Sequence, residues 1–317
     1  MNVRIAVLLV PLLVPLLVPV LLLAAWLGWL SPWSRRPLEL DSSRHDALLA
    51  GHRKAVGWRW AGLGLGIVVA SVTAVTVSNG LHNLGAMLSP TVFGLCVMAG
   101  VVVGELSKIP RRQGVRTAAL ATRTVGGYLP RRLSGVVAAS ALSLGALLVT
   151  TTLMGSADGQ GNAGRFLARQ CTPEVGGATG PWPGSFYSVP LSITVLVGLL
   201  GAAIALRTVV LRPRSGSDPD LVAADDVLRR RSVEAVVAAT GVMVAASLSG
   251  VAFVAGLQLH RVACPPTLWT IFGLALVGAG ALMLLLTAWC LALLLVGRRF
   301  SRVDSGAPAV AGESVRR

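Results

Sequence analysis

The residues best suited to covalent or metal chemistry are four cysteines and four histidines in a chain of 317 residues. His260-x3-Cys264 is the tightest grouping, and Cys171 and His82 are the only other members that could join it on one side of a membrane. Structural zinc sites draw four nitrogen or sulfur ligands, usually from two close pairs. Here there is one loose pair. If Cys171 and Cys264 face an oxidising compartment, a disulfide between them is the first reading. Unpaired thiols and a soft-metal site of Cys171, Cys264, His260 and His82 remain the alternatives. Cys96 and Cys290 lie inside apolar runs and read as small apolar residues.

No other chemistry-bearing pattern follows. The sequence contains no H-E-x-x-H, G-x-S-x-G or G-x-x-x-x-G-K-[ST], the spacings that set up zinc hydrolysis, serine acylation and phosphate binding. Gly62-Leu63-Gly64-Leu65-Gly66 sits within an apolar run, so it is no cradle for a soluble nucleotide. Asp158 and Glu174 form no motif pair. Glu105 and Glu234 stand at the ends of apolar runs and read as partners for nearby arginines. The hydroxyls Thr73, Thr76, Ser140, Ser143, Thr194, Thr240, Ser247 and Thr287 lie inside runs, where such groups bond to backbone carbonyls. No catalytic residue, cofactor or metal ligand is assigned.

The elements that would position these residues are set by composition. Hydrophobic residues make up 54% of the chain and charged ones 13%, about half the charged share of a soluble domain. Seven apolar runs, near 5–30, 60–78, 84–104, 134–154, 189–206, 235–256 and 268–296, approach or exceed the roughly 20 residues that span a bilayer as a helix. Barrel-type alternation is absent. The expected fold is an all-α polytopic transmembrane bundle of about seven spans, one domain over 1–317, with 300–317 a flexible cytoplasmic tail. The first run repeats Leu-Leu-Val-Pro, ending at Pro11, Pro15 and Pro19. It is too long for a leader's apolar region and lacks an Ala-x-Ala site, so a retained span is favoured over a cleaved signal.

The net charge is +15, and its placement matters more than its size. Of the 28 lysines and arginines, 24 fall in segments 31–59, 105–133, 207–232 and the tail after 297. Only Arg4, Arg165, Arg169 and Arg261 fall on the alternate side. The positive-inside rule then puts the N-terminus outside and the C-terminus inside. Basic loops without interleaved aromatic residues argue against nucleic acid and for anionic lipid headgroups, with Arg131, Arg132, Arg229, Arg230 and Arg231 as candidate contacts. The segment 218–232 runs from acidic to basic and reads as a short helix on the inner membrane surface. Small residues at four-residue spacing mark packing faces: Gly62, Gly66, Ala70, Ala74 and Ser78; Gly100 and Gly104; Gly241, Ala245 and Ser249.

Residues 114–133, with Tyr128, Pro130, Arg131 and Arg132, and the stretch Gly180-Pro181-Trp182-Pro183-Gly184 through Pro190 resemble uncharacterised multi-pass membrane proteins of actinobacteria. Arginine outnumbers lysine 26 to 2, as a GC-rich genome would give. The resemblance implies membrane residence and an actinobacterial source and carries no activity. Read physically, the first stretch is an interfacial anchor and the second a rigid aromatic turn capping the bundle. The expected function is that of a non-enzymatic plasma-membrane component, an accessory or regulatory subunit of a transport or envelope system. A carrier or channel for an uncharged or lipidic solute is the alternative.

Overall fold

The computed structural model describes residues 38–80, 83–107, 125–172, 176–212, 219–295 and 300–303. A strand β1 (Leu38–Asp41) leads into α1 (Ser42–Gly80), followed by α2 (Leu84–Leu106) and, after a single 3-10 turn at Val125–Gly127, α3 (Arg131–Met154). A small antiparallel hairpin, β2 (Leu167–Gln170) with β3 (Gly176–Thr179), precedes α4 (Ser185–Leu211). Then come α5 (Pro219–Arg261), α6 (Thr267–Leu295) and β4 (Phe300–Val303).

All six helices are long and apolar enough to cross a membrane. They cover the sequence-predicted runs from 60–78 onward, the last of them as far as Leu295. The run 5–30 lies outside the described residues. Each helix satisfies its own backbone, the condition for life in hydrocarbon, and large apolar side chains line its outer face: Leu65 and Val68 on α1, Leu142 and Leu153 on α3, Leu196 and Leu200 on α4, Leu274 and Leu282 on α6. The exception is α5. It is the hub of the bundle, and 89% of its most apolar window is buried. It packs against α2, α3, α4 and α6, while α1 packs on the outside of α2. Alanine and valine dominate the buried stretch of α5 from Ala235 to Val251, and such short side chains let four neighbours close around one axis.

Two helices outrun the membrane. At about 1.5 Å per residue, the 39 residues of α1 and the 43 of α5 measure roughly 58 and 65 Å, about twice the hydrocarbon thickness. The stretch 218–232, expected as a separate surface helix, is a correction: from Pro219 it is the first third of α5. No glycine or proline interrupts 220–240, and the acidic and basic side chains meant for headgroups pair internally instead, as described below. The other end of the chain departs from expectation too. Phe300–Val303, placed in a flexible tail, pairs parallel with β1, Leu38 opposite Phe300 and Asp41 opposite Val303. The remainder of that tail lies outside the described residues. The six described helices run alternately up and down, so β1, before α1, and β4, after α6, lie at the same end of the bundle, where they pair.

Candidate functional site

The bundle has two polar ends. One carries the starts of α1, α3 and α5 and the ends of α2, α4 and α6, and is termed the arginine end. The other, built from the segment 155–184 and the α5–α6 turn, is termed the disulfide end.

At the arginine end the decisive residue is Arg229. It lies four residues after Asp225, one turn along α5, so both face the end of α4. One guanidinium nitrogen, Nη1, donates to the carbonyls of Val209 (3.1 Å), Val210 (2.7 Å) and Arg212 (3.0 Å). The last carbonyls of a helix have no partner in the helix itself, and a cation among them also meets the negative end of the macrodipole. The other nitrogen, Nη2, donates to Asp225 Oδ2 at 2.7 Å, while Arg212 Nη2 reaches Asp225 Oδ1 at 2.8 Å. One carboxylate thus bridges two guanidiniums across the α4–α5 connection. Beside it, Tyr128 Oη donates to Asp226 Oδ1 at 3.2 Å, tying the turn before α3 to the same helix.

This corrects the reading of Arg229 as a headgroup contact. It is fully buried, and both of its terminal guanidinium nitrogens donate to protein acceptors. Arg131, Arg132 and Arg230 are exposed, and Arg231 is half-buried. The signal that could have found the clamp is the Asp225-x3-Arg229 spacing, the favourable acid-before-base order on a helix, with Arg212 just past the end of the preceding helix. A second buried pair lies at the same end of the bundle: Arg59 Nη2 meets Glu105 Oε1 at 3.1 Å, linking α1 to the end of α2.

The α1–α2 contact runs along glycines. A Cβ on Gly62 would lie 2.8 Å from Gly100 Cα, one on Gly66 3.1 Å from the Phe93 ring, and one on Gly104 3.0 Å from the Ala55 carbonyl. Ala70 is buried and Ala74 half-buried beside them. Gly62→Leu is therefore expected to destabilise the bundle by about 2 kcal/mol or more, because the backbones would have to separate. Gly145→Ala on α3, where a Cβ meets nothing, is expected to leave stability unchanged or raise it by up to about 1 kcal/mol. Unfolding in a denaturing detergent series measures both. Gly241 closes on Cys290 and Val137, and Ser249 Oγ donates to the Gly280 carbonyl at 2.9 Å, which seats α5 on α6.

Inside the helices, Thr73, Thr76, Ser140, Thr194, Thr240, Ser247 and Thr287 each donate to the carbonyl four residues back. Ser247 also meets Thr91 across the α2–α5 contact at 2.8 Å.

At the disulfide end, Cys171 and Cys264 are bonded, with Cα atoms 6.3 Å apart. Neither sulfur is left to ligate a metal; His82 lies outside the described residues. The bond ties the β2–β3 hairpin to the α5–α6 turn, reinforced by Thr179 Oγ1 donating to Gln258 Oε1 and by Arg169 over the Trp269 ring. Trp182, expected in the aromatic turn that caps the bundle, is buried, and its Nε1 donates to the Thr151 carbonyl at 2.7 Å near the end of α3. Phe186, Tyr187 and Pro190 belong to α4 itself.

Asp158 organises the rest of this cap. It accepts from the Gln160 and Asn162 backbone N–H groups (2.9 and 2.7 Å) and from Asn162 Nδ2 (3.0 Å), and it pairs with Arg165. Burial pushes the carboxyl pKa up, but these hydrogen bonds and the Arg165 charge outweigh it and hold it below its ordinary 3.8. A carboxylate whose folded pKa is depressed stabilises the fold above its unfolded value and loses that effect as pH falls through the folded one. Amide-exchange protection factors in 156–168, which correct for the intrinsic pH dependence of exchange, are therefore expected to fall below about pH 4, and Asp158→Asn to lack that acid step. The same acid step in both proteins would assign it to another group.

Comparison with protein-family models, curated proteins and solved structures gives no significant match.

Proposed function

We propose that this chain is a plasma-membrane protein of seven spans, with its N-terminus outside and C-terminus inside. In this reading the run 5–30 is the first span and the arginine end is cytoplasmic. Two independent features support the orientation: the concentration of cations at one end, and a disulfide at the other, where an oxidising compartment lies. Arg131, Arg132 and Arg230 then face anionic headgroups.

Its role is that of a non-catalytic accessory or regulatory subunit of a transport or envelope system. The observation that carries this is how the polar groups inside the helices are used. Arg59 pairs with Glu105, Arg212 and Arg229 share Asp225, and the hydroxyls bond to carbonyls of their own helices. Intramembrane charges in pumps and carriers line a path; here the charged pairs sit at the arginine end of the bundle and hold helices together. Purification in mild detergent tests the role. A membrane-protein partner retained at fixed stoichiometry through size exclusion is expected, and a chain that stays monomeric at every detergent tested would count against it. The hydroxyl pair of Thr91 and Ser247 favours one second reading, a carrier of an uncharged or lipidic solute. Flux of such a solute into proteoliposomes, lost in Ser247→Val, would select it.

A further inference from the structure

Besides the glycine face that meets α2, α1 carries a second one. Gly57, Ala61, Gly64, Val68 and Ser71 alternate at spacings of four and three, which keeps them on one side of the helix. All five are exposed, and a Cβ on Gly57 or Gly64 would meet nothing within 4 Å. The four small ones, Gly57, Ala61, Gly64 and Ser71, leave a shallow channel beside the larger Val68, and such a channel in a membrane helix is where a second backbone approaches closely.

We propose that the apolar run 5–30 of this same chain packs antiparallel along that face of α1. The inference rests on the reading of 5–30 as a retained span and adds where it docks. The covalent path argues for this occupant. Only residues 31–37 separate the run from β1, and β1 feeds directly into α1. Seven residues reach at most about 25 Å, and part of that is taken up descending the projecting first turns of α1, Ser42 to Leu49, to the membrane span that begins at Ala50. Sequential elements joined so briefly are neighbours. Open glycines also occur at Gly135 and Gly145 on α3, Gly201 on α4 and Gly278 on α6, but none of these helices follows the run's seven-residue link in the chain, as α1 does. The chemistry is complementary as well. The run offers leucine and valine ridges, and α1 offers the groove that takes them.

Depth fixes the register. Gly64 lies 14 residues into the α1 span, so an antiparallel partner ending near residue 30 brings residues 16–18 level with it. The test starts from a chain with Cys96 and Cys290 changed to alanine and a protease site inserted within 31–37. Gly64→Cys is combined in turn with Leu16→Cys, Leu17→Cys and Val18→Cys, which project about 100° apart. After oxidation and cleavage, at least one pair is expected to keep the N-terminal fragment attached to a monomer until reductant is added. It should do so roughly tenfold more efficiently than with Gly145→Cys as the partner, since disulfide formation needs Cβ atoms within about 4.5 Å. Release of the fragment in all three pairs, or preferential bonding to Gly145→Cys, overturns the docking. Dimer formation through Gly64→Cys alone gives the face to a second copy and overturns it too. An intact mass lacking the first 30 residues overturns the retained-span reading itself, which separates the two failures.

Discussion

Replacing Arg229 with methionine is expected to lower the unfolding free energy by about 3–5 kcal/mol, the range for removing one member of a buried ion pair. The loss has two parts. Asp225 keeps Arg212 but loses its other buried cation, and the Val209, Val210 and Arg212 carbonyls at the end of α4 lose their donor. A buried group left unsatisfied carries its full desolvation penalty. Arg229→Lys should recover only part of the loss, because a single ammonium cannot serve the carboxylate and three carbonyls in the geometry of a planar fork. Arg230→Met, one residue on and exposed, should stay within about 0.5 kcal/mol of the parent. Unfolding in a graded detergent mixture, followed by tryptophan fluorescence, gives all three values. Similar losses for the Arg229 and Arg230 variants would show that the clamp contributes nothing beyond charge.

Removing the disulfide is expected to have the second large effect. The bond spans 93 residues, and in the chain-entropy account a loop of that length contributes between about 4 and 5 kcal/mol. Helices that remain inserted already restrict the unfolded chain, so the measured value should fall lower, about 2–4 kcal/mol. Cys171→Ser, Cys264→Ser and the double variant should lose the same amount, because one bond is lost in each. A double variant markedly less stable than either single one would mean that the thiols contribute separately. The consequence should be local: proteolysis within 155–180 should rise while α1 and α2 stay protected.

How legible this was depends on the property read. The apolar runs locate six helices because burial in lipid is a one-dimensional signal written in every residue of a span. Helix ends were not legible from it. The apolar runs begin at 60 and 235, whereas α1 and α5 begin at Ser42 and Pro219, about 18 and 16 residues earlier. Those projections are held by pairs such as Asp225 with Arg229, which a hydropathy scan counts as charge. Glycine spacing marks faces without naming partners: nothing in the sequence says that Gly62 meets Gly100 while Gly66 meets Phe93. The pairing of Cys171 with Cys264 was reachable because topology limits which cysteines share a compartment. Trp182 read as part of an aromatic turn capping the bundle; that its indole N–H reaches the Thr151 carbonyl depends on where α3 ends in space.

The orientation of the bundle carries the rest, and impermeant maleimide labelling of intact cells tests it most directly. In chains with Cys96 and Cys290 changed to alanine, Gly159→Cys, in the cap beside the disulfide, should be labelled from outside. Gly126→Cys, in the turn before α3, should be labelled only after the membrane is breached. Labelling of Gly126→Cys in intact cells, with Gly159→Cys protected, would contradict the account.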